Sequence, residues 1–126
     1  MKKALLTLGL LPLLAACADT SQGKLRQAVY DVDSAYHVLA NPMPDVMAGK
    51  VPGVALTDTH KTIAKAASQT VFNEIQSLET SIESGNSITQ TGVNALQADF
   101  ASFETCWAGL KTGTTPDACA ALGGKH

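Results

Sequence analysis

Val93-Asn94-Ala95-Leu96-Gln97-Ala98-Asp99-Phe100-Ala101-Ser102-Phe103-Glu104-Thr105-Cys106-Trp107-Ala108-Gly109-Leu110 places Val93, Leu96, Phe100, Phe103, Trp107 and Leu110 at successive steps of 3, 4, 3, 4 and 3. A helix turns once every 3.6 residues, so these six side chains fall on one face. The spacing predicts an amphipathic helix packed along that seam. Just upstream, Ser87-Ile88-Thr89-Gln90 fits a capping box, in which the Ser hydroxyl and the Gln amide would satisfy free amides at the helix start. Gly92 lies one turn inside and weakens the helix locally by about 1 kcal/mol. The helix should stop near Gly113. Thr115-Pro116-Asp117 then reads as cap, first-turn Pro and first-turn acid of a short terminal helix that carries Cys119 and ends at Gly123-Gly124.

Working back along the chain, Asp58 to about Ser84 predicts another helix. Its seam is Ile63 or Ala64, Ala67, Val71, Ile75, Leu78 and Ile82, its N-cap Thr57, and its left-handed C-terminal residue Gly85. The connection from Gly85 to Ser87 is so short that these two helices must run antiparallel. A first helix is expected from Thr20 to Ala40, capped by Thr20 or Ser21, with the seam Leu25, Val29, Val32, Tyr36 and Leu39. Asn41-Pro42 should end it, because the residue before Pro avoids the helical region. No run alternates apolar and polar residues long enough to make a strand. The expected fold is therefore all-α: a small three-helix bundle with a short C-terminal helix, its aromatic core drawn from Tyr30 or Tyr36, Phe72, Phe100, Phe103 and Trp107.

One segment departs from this plan. Residues 41–56 form a link of about 16 residues where bundles use two to eight, and Met43, Val46, Met47, Val51, Val54 and Leu56 make it apolar. Left free, it would expose a sizeable apolar surface. The expectation is that it folds over one end of the bundle. Met43, Val46, Met47 and Val51 are the candidate partner-binding residues if it does not.

The chain has 126 residues, 45% of them hydrophobic and 16% charged, with a formal net charge of -2. That composition bounds it to one globular unit. No basic cluster follows Lys2-Lys3, so the electrostatic footprint of nucleic-acid binding is missing. Those two lysines precede an apolar run of about 13 residues, Ala4 to Ala16, the pattern of an export signal. It is short of the roughly 20 residues that span a bilayer.

The junction Leu14-Ala15-Ala16-Cys17 resembles the lipobox of bacterial lipoproteins, in which a branched apolar residue and two small ones precede an obligatory Cys. The resemblance covers about the first 17 residues and implies a diacylglyceryl thioether on Cys17, cleavage before it, and acylation of the new amine. Ala18, where an Asp would signal retention in the inner membrane, implies the inner leaflet of the outer membrane, facing the periplasm. Two or more acyl chains hold a protein stably at a bilayer where one would not. The domain plan is then 1–16 as lipoprotein signal peptide, 17–23 as lipidated tether and 24–126 as helical bundle; with Lys2 and Lys3 removed, the mature chain from Cys17 is mildly acidic, with seven Lys and Arg against eleven Asp and Glu.

With Cys17 lipidated, Cys106 and Cys119 remain as a pair in an oxidising compartment. Closing a loop of about 14 residues stabilises by about 3 kcal/mol on the chain-entropy model. Redox pairs favour Cys-x-x-Cys, and no His stands at ligand spacing from either thiol, so a structural disulfide is expected. His37, Met43, Met47 and His60 have ligand types suited to Cu(I), although His37 is equally placed to bond Asp33 one turn earlier and the methionines to pack. No nucleophile motif, phosphate loop, buried carboxylate pair or haem-attachment signature is visible. The sequence therefore implies no catalytic residue and no cofactor. It points to a lipid-anchored, non-enzymatic binding or structural accessory of the cell envelope, engaging an envelope protein or the cell wall. A carrier of small ligands or copper, and an inhibitor or immunity lipoprotein, are the alternatives.

Overall fold

The seams predicted from 3-4 spacing close into an all-α bundle. In order along the chain, α1 (Lys2–Ala40), α2 (Met43–Met47), α3 (Asp58–Glu83), α4 (Gln90–Lys111) and α5 (Asp117–Gly123) make up the fold. This computed structural model describes residues 21–122 in full, with α1 traced from Lys2 and α5 to Gly123 as backbone only. The expected lipidation at Cys17, its junction Leu14-Ala15-Ala16 and the terminal His126 lie outside the described residues. The described residues contain no strand, and among them no helix is long and apolar enough to cross a membrane.

Helix α3 begins where the sequence placed it. The Thr57 hydroxyl accepts from the His60 amide at 3.1 Å, satisfying one of the amides that a helix start leaves open. At its other end Gly85 takes φ +79, which lets the Gly85 amide reach the Ile82 carbonyl and the Asn86 amide reach the Ser81 carbonyl. These two bonds are the Schellman pattern that turns the chain back on itself. Helix α4 ends the same way: Gly113 is at φ +87, its amide bonds Leu110 and the Thr114 amide bonds Gly109.

The start of α4 differs from expectation. Thr89 rather than Ser87 is the cap, its hydroxyl accepting from the Gly92 amide at 3.0 Å. The reason comes from far away in the chain. The Gln22 side chain donates to the Ile88 carbonyl at 2.9 Å and accepts from the Ile88 amide at 3.2 Å, so Ile88 is held outside the helix as if by a neighbouring strand. Its side chain is buried and, with Val93, occupies the two positions of a hydrophobic staple around the Thr89 cap. Gly92 is explained as well, since a Cβ there would stand 3.1 Å from the Thr89 hydroxyl.

The same contact corrects the plan at the N-terminal side. Ser21 lies inside α1 rather than at its start, and residues 21–23 are helical. The bundle begins by Gln22, because Gln22 is bound to it. Thr115 is corrected too: its hydroxyl meets the His60 ring Nε2 at 3.0 Å, and α5 starts at Asp117.

Gln22 beside Ile88 and Tyr36 beside Phe103, with ring centroids 5.9 Å apart, run α1 parallel to α4. Tyr36 also bonds Ser68 at 2.8 Å and stacks near Phe72, while α3 returns antiparallel to both. Tyr36 is therefore the core tyrosine, and Tyr30 is 40% exposed. Val29, Val71, Ile75, Val93, Leu96, Phe103, Leu110 and Leu122 fill the centre with almost no exposure. The Cys106–Cys119 disulfide forms, with Cα atoms 4.9 Å apart, and fixes α5 against the end of α4. Both half-cystines are buried.

Candidate functional site

The apolar link is where local sequence and global shape meet. Pro44 sits in its first turn, where a missing amide does no harm, and residues 43–47 wind into α2. The turn exits through Gly49 at φ +74, with the Lys50 amide bonding the Asp45 carbonyl. Met43 is 4% and Val46 is 6% exposed, so the link folds over the bundle end with these two residues turned inward. Val51, Val54 and Leu56 also pack against the core.

Seating α2 this way leaves an open groove between α1, α2 and α3. Its volume is about 760 Å³, within the range of small-molecule sites. Ala40, Met43, Pro44, Met47 and Ala48 make its apolar side, while α3 contributes Lys61, Lys65, Ser68 and Gln69. Tyr36 closes the floor, its hydroxyl spent on Ser68. Residues 61, 65, 68 and 69 share one helical face by spacing alone, yet nothing in the sequence showed that α2 would lie opposite them.

The four residues considered for copper are not gathered here. His37 is half-exposed and bonds Asp33 through Nε2 at 3.2 Å, and the His60 Nε2 is engaged by Thr115. Neither histidine lines the groove where both methionines stand. Among the described residues no group of three or more His, Cys, Asp or Glu side chains is placed to hold a metal ion.

Asp33 belongs instead to a small acidic patch between α1 and α3. Burial raises the carboxyl of Glu79 above its usual 4.5, and the charge and hydrogen bonding of Asp33 and the charge of Glu83 add to that, while His37 pulls the other way. Two further polar residues are buried, Thr70 and Asp99. Thr70 returns its hydroxyl to the Ala66 carbonyl at 3.0 Å, and Asp99 takes part in interactions within the fold. Burial of Asp99, which stands next to the seam residue Phe100, was not legible from spacing.

A second, smaller recess of about 300 Å³ lies between α3 and α5, lined by Ile63, Ala66, Ala67, Thr115, Cys119 and Ala120. It presents no ionisable side chain. No protein-family model, curated protein or solved structure matches the chain, so the groove geometry carries the functional argument.

Proposed function

We propose that the chain is a small lipoprotein held by acyl chains on Cys17 at the inner leaflet of the outer membrane, facing the periplasm, and that its helical bundle is a non-enzymatic binding module. The groove over Met43 and Met47 is its binding face. The observation that carries this reading is the apolar groove of about 760 Å³ between α1, α2 and α3, more than twice the volume of the recess between α3 and α5. An apolar concavity with a few polar groups at one side is the usual form of a ligand site. An envelope accessory with such a site would hold a small molecule or an apolar segment of a partner close to the membrane.

Two measurements test it. Mass spectrometry of the chain extracted from envelopes is expected to find a diacylglyceryl-modified Cys17 at the N-terminus, and a bare chain released into the medium would overturn the tether. For the groove, a neutral alkyl diazirine photolysed on the envelope-bound chain should label peptides covering Met43–Met47 and Lys61–Gln69. Labelling spread evenly over the exposed faces of α1 and α4 would remove the groove as the site.

A further inference from the structure

We propose that the groove selects a free amphiphile with an apolar chain and an anionic head, such as a long-chain carboxylate, its chain against Met43 and Met47 and its head between Lys61 and Lys65. This rests on the groove being the binding site and adds the chemistry of its occupant.

Lys61 and Lys65 stand four residues apart on α3, where like charges destabilise a helix. No carboxylate occupies the positions four residues before or after either one. Asp58 stands three residues before Lys61, but among the described residues neither groove lysine is joined to a carboxylate in an ion pair. In a chain of net charge -2, this places two cations without an ion-pair partner at the edge of the apolar groove. An anion between them would turn a local repulsion into two charge-assisted bonds.

The opposite wall is apolar and adaptable. Met47 is half-buried, Pro44 and Ala48 are exposed, and Ala40 continues the surface onto α1. Unbranched thioether side chains fit irregular alkyl groups well, and each methylene removed from water favours binding. A ligand with a charge at one end and a chain at the other matches both walls, whereas a wholly polar anion would leave the methionine wall uncovered.

Position favours a free molecule over a headgroup still in the membrane. Gln22 marks the N-terminal end of the described bundle, and Tyr36, on the groove floor, lies 14 residues further along α1, roughly 20 Å away at 1.5 Å per residue. A chain tethered through Cys17 presents its N-terminal end to the bilayer and holds the groove at the far end.

The test uses the full chain in nanodiscs of uncharged phosphatidylcholine, with carbon-13 label on the methionine methyl groups. Met43 and Met47 are the methionines after Met1, and both line the groove, so the site reports on itself whatever enters the lipid. Dodecanoate is expected to shift both methyl signals at a concentration about tenfold lower than dodecanol, the ratio for about 1.4 kcal/mol of head recognition. In the double variant Lys61→Gln/Lys65→Gln, whose unliganded methyl spectrum should match that of the parent, the two ligands should titrate alike. Equal responses to dodecanoate and dodecanol in the parent chain would overturn the selection of an anion and leave the groove standing as a site. Silence toward both would overturn the groove as well. Shifts that appear only on changing the nanodisc lipid to phosphatidylglycerol, without added dodecanoate, would identify a membrane headgroup as the source and overturn the free amphiphile.

Discussion

A methyl group added to Gly109 would run into the Pro116 ring and press on the Thr114 hydroxyl. The Gly109 carbonyl is also the meeting point of the turn, accepting from the amides and hydroxyls of both Thr112 and Thr114 at 2.9 to 3.0 Å. Gly109→Ala should therefore reduce stability by about 1–3 kcal/mol, the usual range for overpacking a closed site, read as a lower urea midpoint. A midpoint unchanged from the parent would mean that Pro116 moves freely, and the close approach would then have no structural role.

Glu79 gives the pH dependence at the same scale. Its carboxyl in the folded chain holds a proton to higher pH than its usual 4.5 because burial, Asp33 and Glu83 oppose its charge more than His37 favours it. The folded state thus binds this proton more tightly than the unfolded state does. Its stabilising contribution is fully present below the unfolded value and is lost as pH rises through the folded one. Glu79→Gln should remove that loss, so the stability difference, variant minus parent, should grow from about pH 4.5 upward and then level off. Urea unfolding of both chains across that range measures it, and a difference that stays constant with pH would contradict the assignment.

Among the elements, the seams of α3 and α4 and the glycine turns were legible because their determinants are local. Steps of 3 and 4 define a face, and a glycine after the last apolar residue marks an end. Ser87-Ile88-Thr89-Gln90 misled for the opposite reason: the local pattern of a capping box is satisfied, but Gln22, 66 residues earlier, takes hold of the Ile88 backbone. The choice between Tyr30 and Tyr36 likewise depends on which helices lie opposite α1. Helix α2 was hidden within a link whose composition announced burial but not shape. The groove follows from where α2 sits, so its α3 residues, Lys61, Lys65, Ser68 and Gln69, could not be told from an ordinary solvated face.

If Met43 is what seats α2, then Met43→Ala should lower stability by about 2–5 kcal/mol, as for other buried large-to-small changes, while Met47→Ala, half-buried at the groove wall, should lower it less. Thermal melts of the two variants separate these roles. Equal losses would indicate that α2 is held by both methionines alike. Gly85→Ala belongs to this scale as well. An alanine at φ +79 carries a strain of about 1–2 kcal/mol, and that loss should appear in the unfolding midpoint with the groove unaltered.

For the molecule as a whole, three helices and a modest set of aromatic residues are braced by a covalent tie between α4 and α5. Replacing Cys106 and Cys119 by Ser should destabilise by about 3 kcal/mol through the freed loop, with a further loss because two hydroxyls would replace sulfur in a buried position. Melting temperature in the presence and absence of reductant provides the comparison. A parent chain insensitive to reductant, with a double variant of the same stability, would show that α5 docks without the tie.

Because α1 runs parallel to α4 and its first described turn is fastened to the α3–α4 bend through Gln22, tension arriving from the N-terminal side loads the helix along its axis. The mechanical path is a shear, in which many seam residues must slip at once, rather than an unzipping that breaks them one by one. A pull from that side would then reach the groove between α1, α2 and α3 only after the Gln22 latch had given way.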